Sequence, residues 1–167
     1  MISGIFLMKA AGTVVLLGAS MAYGGCRISE ERQKLREAEA LMALVRYTAE
    51  TIEHTMKPLP EIFVEYRNEV LHKNGFLEEV KRTGLREAWE NKEGQLVLQD
   101  KDVKNGFAVF CREIGRGYRK EELELCSLTL KRMNEAVGKI RQELSNREKL
   151  YRTIPPLMVM SLVLILM

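Results

Sequence analysis

Two stretches of this chain carry apolar residues at alternating spacings of three and four. Leu35, Ala38, Met42, Val45, Ala49, Ile52 and Met56 mark the first, between Ser29 and Lys57. Leu123, Cys126, Leu130, Met133, Val137, Ile140, Leu144 and Tyr151 mark the second, which begins at Arg119 and passes one heptad position through the polar Arg147 and Glu148. The spacing predicts two long helices with one apolar stripe apiece. On the second stretch, Lys120, Glu121, Glu124, Lys131, Arg132, Glu135, Lys139 and Arg141 fill the remaining faces, whose natural medium is water. Pro58 and Pro60 stop the first helix.

Beyond the stripes the pattern loses its polar half. Residues 1–25 are interrupted only by Lys9, and residues 154–167 carry no charge. If Lys9 snorkels, the first segment has the ~20 residues that a spanning helix requires. The second, at 1.5 Å per residue, reaches only ~21 Å, with Pro155-Pro156 at its entrance. Ala11, Gly18 and Ala22 share one face of the first segment with Gly25, and small residues at that spacing let another membrane helix approach closely. A secretory leader is the competing reading, and Ala22-Tyr23-Gly24-Gly25-Cys26 has something of a lipoprotein cleavage site. Tyr23 is too large for that position, however, and no basic region precedes Lys9. Arg27, Arg32, Lys34 and Arg36 follow the first segment, while Arg147, Lys149 and Arg152 precede the second. The positive-inside rule therefore predicts that residues 27–152 face the cytoplasm with both termini pointing away from it. Two stripes that each start or end at a membrane must run antiparallel.

Shorter elements are expected between them. Pro60 opens a helix with Ile62, Phe63, Tyr66 and Val70, closed by Asn74-Gly75. Thr83 caps a helix through Glu90 that presents Leu85, Ala88 and Trp89. Residues 91–99 read as loop. Asp100 or Asp102 then opens a helix with Val103, Phe107, Phe110 and Ile114 on one face, and Gly115-Arg116-Gly117 turns into the last helix. The predicted fold is all-α, an antiparallel helical bundle on two long heptad helices (27–152) with N- and C-terminal membrane segments (1–25 and 154–167).

Composition adds limits. The 167 residues carry a net charge of only +3, with acids and bases mixed and no basic stripe interleaved with aromatics, so nucleic acid is not an expected partner and anionic lipid is the better counterpart. Three cysteines without a short pairing motif suit a reducing compartment. Cys111 and Cys126 fall on apolar helical faces as buried thiols, and His54 and His72 have no metal-ligand spacing, so no metal is expected. A phosphate-binding loop and a nucleophile elbow are both missing, which argues against an enzyme, a cofactor or a small-molecule substrate. The run Glu121-Glu122-Leu123-Glu124 reads as a solvated helix face. Arg116, Arg119 and Lys120 make the most basic exposed tip, a contact for an acidic partner. A helix of 1.5 Å per residue from Arg119 to Thr153 is ~52 Å long, which sets that tip far from the C-terminal segment. Trp89 reads as a core anchor, and is the second candidate for a partner contact.

Several local strings, in order, resemble stage III sporulation protein AB of endospore-forming bacteria. They are the N-terminal apolar segment with its charged helix, Glu87-Ala88-Trp89-Glu90, Phe110-Cys111-Arg112-Glu113-Ile114-Gly115, and Leu150-Tyr151-Arg152-Thr153-Ile154 leading into the apolar tail. The sequence departs from that family's tendencies at Tyr118, Glu122 and Pro155. The resemblance implies a cytoplasmic domain similar to that of the type II secretion F protein. It also implies a place in the channel complex between mother cell and forespore, beside a cytoplasmic secretion-type ATPase and other channel membrane proteins. A different class of reading is a membrane-tethered regulatory or adaptor coiled coil unrelated to secretion.

Overall fold

The computed structural model describes the backbone of residues 2–166 apart from Met56. Side chains are described for residues 22–151, again apart from Met56, and for Val15, Gly18, Ala19, Thr153, Ile154, Leu157, Met158 and Ser161. The described residues form seven α-helices and no strand: α1 (Ile2–His54), α2 (Leu59–Glu65), α3 (Glu69–Lys73), α4 (Phe76–Thr83), α5 (Leu85–Lys92), α6 (Lys101–Glu113) and α7 (Arg119–Leu166), with a 3-10 turn at Glu93–Gln95. The chain divides into two compact units, one of Gln33–Arg141 and one of Met1–Arg32 with Gln142–Met167.

In the first unit the α1 and α7 stretches run antiparallel, as the stripes predicted, with Glu39 paired to Arg141 and Glu53 meeting Arg119. Heptad residues Ala38, Val45, Cys126, Met133 and Val137 are buried. So are Leu41, Leu44, Thr48, Thr129 and Ala136, which lie beside the stripe. The face is wider than a two-helix seam because α2–α6 pack into the same core, and a helix covered from two directions buries a broad arc. Phe76, Trp89, Phe107 and Phe110 form its aromatic centre, with Trp89 edge-on to Phe107 at 4.9 Å between centroids and to Phe76 at 6.4 Å. Full burial of such side chains contributes roughly 1.5–3 kcal/mol each. Gly106 lets α6 lie close on α7, since a Cβ there would sit 3.4 Å from Met133 Cγ.

Some local elements differ from the expected ones. The helix expected from Pro60 to Asn74 is two helices, because Tyr66 is extended (φ −62°, ψ 135°) and Asn68 caps a new start by accepting from the N–H groups of Val70 and Leu71. Residues 76–82, unassigned from sequence, form with Thr83 the amphipathic α4, in which Phe76, Leu77 and Val80 are buried. Thr83 does not cap α5. It is the last residue of α4, its hydroxyl donates to the Glu79 carbonyl at 3.0 Å, and the elbow is made by Gly84 at φ +89°. Asp100 is the cap of α6, accepting from Val103 N–H at 2.9 Å. The connection before it is held by Glu37, a buried carboxylate on α1 that accepts the N–H of Leu98 at 2.8 Å.

In the second unit α1 and α7 are again antiparallel, joined by Arg32–Glu148 at 2.8 Å and Arg147–Glu31 at 3.4 Å. Gly24 is a point of close approach: a Cβ there would stand 3.0 Å from the Tyr151 carbonyl oxygen. Among the described residues no helix is long and apolar enough to cross a membrane. Much of the segments expected at 1–25 and 154–167 lies outside the residues whose side chains are described.

Candidate functional site

The turn between α6 and α7 is exposed and tightly tied. Gly115 leaves α6 at φ +90°, and a Cβ on it would meet Leu59 Cδ1 at 3.1 Å, so the turn lies against the start of α2 and takes glycine for two reasons. Glu122, one turn into α7, accepts the N–H of Gly115 at 2.9 Å and of Gly117 at 2.8 Å through Oε1. Glu121 accepts the N–H of Tyr118 at 2.9 Å through Oε2, the reciprocal half of a capping box. The N–H of Arg116 donates to the Glu113 carbonyl at 3.3 Å. Every amide from 115 to 118 is thereby occupied from within the chain.

In the run Glu121-Glu122-Leu123-Glu124, read as a solvated face, Glu121 and Glu124 are exposed as expected and Glu122 is the exception. Glu122 is 6% exposed, and its second oxygen, Oε2, has no hydrogen-bond partner among the described residues. The run itself carries no sign of this. The signal lies five and seven residues upstream, where two glycines free their amides to turn toward one helix position.

The three bases of the tip differ in what they do. Arg116 is exposed and lies 3.4 Å from Glu113. Lys120 is exposed, with no partner among the described residues. Arg119 donates from Nη2 to the carbonyl of Glu53 in the last turn of α1, where the helix dipole favours a cation. It holds two helices together as well as lending charge. Tyr118, 85% exposed and marked in the sequence only as a departure from the family's tendencies, stands among them as a large aromatic surface.

Trp89, by contrast, is 4% exposed within the aromatic cluster and is a core anchor. The structure does not bring it into the tip. Of the small residues proposed for membrane packing, Ala11 lies outside the residues whose side chains are described, while Gly18 and Ala22 are exposed. Nothing lies within 4 Å of a Cβ built on Gly18. Gly24, on a different face from the stripe, lies close to Tyr151 of α7.

Cys111 and Cys126 are buried and unbridged. Burial, with a smaller contribution from the nearby Glu122 charge, pushes the Cys126 thiol up to about 12. Burial raises Cys111 well above its ordinary value. Neither supplies a thiolate at neutral pH. Among the described residues no three His, Cys, Asp or Glu side chains gather closely enough to hold a metal ion.

Neither curated proteins nor solved structures give a match to this chain. The family model for stage III sporulation protein AB does match, over residues 9–167, which takes in both heptad helices, the Phe110–Gly115 string and the turn described above. The all-helical chain belongs to that sporulation family.

Proposed function

We propose that the protein is a non-catalytic platform component of the sporulation channel between mother cell and forespore, coupling a cytoplasmic secretion-type ATPase to channel subunits in the membrane. In this reading residues 27–152 lie on the mother-cell cytoplasmic side, and the apolar termini hold the protein to the membrane. Val15, Tyr23, Ile154, Leu157 and Met158 leave apolar surface uncovered in the unit that contains those termini, which supports a lipid or membrane-protein environment for it.

The observation that carries the proposal is the basic turn. A loop whose amides are all tied internally, yet which presents Arg116, Tyr118 and Lys120 to solvent, is preorganised for contact with a partner and loses little freedom on binding. Charges so placed set encounter rate and orientation more than raw affinity. The test is recovery of the ATPase and channel proteins on the tagged full chain from sporulating cells. Arg116→Glu/Lys120→Glu, which spares Arg119 and its bond to α1, is expected to retain expression and membrane association while losing ATPase recovery and spore formation after engulfment. Undiminished ATPase recovery by that double variant removes the turn from the contact. A parent protein that brings down neither ATPase nor channel subunits sinks the platform reading in favour of a regulatory adaptor.

A further inference from the structure

An open groove of about 380 Å³ runs between α2 and the α4–α5 elbow. Leu59, Phe63 and Val64 line it from α2, Val80 and Leu85 from α4 and α5, and Ile114 from the end of α6. Val64 is 47% exposed, and Leu59 and Ile114 are only half-buried, so the groove leaves apolar surface in water. Gly84 at the elbow has nothing within 4 Å of a Cβ position, which keeps the lip low. The shape is wrong for a small molecule, which needs an enclosing pocket with several convergent polar groups. It suits two apolar side chains entering from a passing helix at i and i+3 or i+4.

The rim chooses the partner's charge. Lys81 and Arg86 line the lip against the single acid Glu87. Lys81 has no partner among the described residues, and Arg86 reaches Glu90 only at 3.5 Å. Ile114 in the lining precedes Gly115 in the chain, and Leu59, also in the lining, stands 3.1 Å from a Cβ built on Gly115, so the groove adjoins the basic turn that carries Lys120. We propose that this groove and turn together seat an acidic amphipathic helix of a partner protein, its apolar stripe against Val64 and its carboxylates toward Lys81, Arg86 and Lys120. The inference rests on the platform reading for its context and adds a seat and a class of ligand to it.

The experiment is photocrosslinking from the full-length chain in sporulating cells. A photoreactive phenylalanine replaces Val64, with the exposed Leu128 on α7 as the control position. Arg86, on the opposite lip, serves as a second incorporation site if the Val64 variant melts below the parent. Crosslinked peptides are mapped by mass spectrometry. The expected product at Val64 is an amphipathic helical segment of net negative charge, absent at Leu128. Lys81→Glu/Arg86→Glu should reduce its yield about tenfold, because like charges brought together across an interface are strongly penalised. Crosslinks only to a second copy of this chain, to lipid or to a basic segment would overturn the proposal, as would yields at Val64 no higher than at Leu128. ATPase recovery is read in the same cells. Recovery without a Val64 crosslink defeats the groove alone, and a crosslinked acidic helix without ATPase recovery defeats the platform reading alone.

Discussion

A carboxylate buried near the start of a helix needs donors, and at Glu122 they come from the backbone of the preceding turn. Each hydrogen bond to a charged acceptor contributes about 1.5–3 kcal/mol. Glu122→Ala should therefore lower the stability of the full chain to urea by about 2 kcal/mol or more, and Glu122→Gln, which keeps one carbonyl acceptor, by less. Equal losses would show that the charge and not the acceptor fastens the turn. Glu37 and Glu122 were illegible in the sequence for the same reason: their partners, Leu98 and the two glycines, are brought in by the fold. The cysteines were legible, because Cys111 and Cys126 sit on apolar helical positions. A thiol reagent should label Cys26 in the native protein, and Cys111 and Cys126 only after unfolding. Cys126 also has a pH signature. Its thiol is raised from 9.0 to about 12 in the fold, so the unfolded chain loses that proton first. The contribution is intact below pH 9 and declines as pH climbs toward 12. Cys126→Ala should make the alkaline fall in melting temperature less steep.

The long helices were readable because their period is sustained over many turns, whereas the short ones are decided by single residues. Apolar periodicity from Ile62 to Val70 continues across the place where the chain breaks. The break exists because the Asn68 side chain offers Val70 and Leu71 a better acceptor than a continuing helix would. Asn68→Ala should cost about 1 kcal/mol, read as a lower denaturation midpoint with unchanged slope. α4 went unassigned because eight residues hold barely two turns of pattern. Within the heptad stripe the structure separates positions that the spacing treated alike. Met133 is fully buried against Gly106, while Ile140 is half-buried. Met133→Asp should unfold the helical unit, since an unpaired buried charge costs several kcal/mol against a domain stability of about 5–15. Ile140→Asp should leave a folded protein with a lowered melting temperature. If both variants melt alike, the burial difference does not govern stability at these sites.

At the scale of the molecule, the residues around one core, from Ala38 to Val137, lie wholly inside Gln33–Arg141. A fragment of residues 30–147 should therefore give a cooperative helical melt by circular dichroism without detergent. A reporter inserted at the exposed Gly94 should behave as cytoplasmic, and an external signal there would reverse the proposed orientation. The order of the charges joining α1 to α7 in the smaller unit bears on how the two helices align. Along α1 the sequence reads acid then base, Glu31-Arg32, and along α7 base then acid, Arg147-Glu148, each meeting its opposite. Sliding one helix along the other to exchange partners sets Glu31 against Glu148 and Arg32 against Arg147. Such exposed pairs add at most about 1 kcal/mol each to stability, yet the slipped alignment is repelled twice over. The four charges thus act as a register mark, favouring the observed alignment of the two helices over that slipped one.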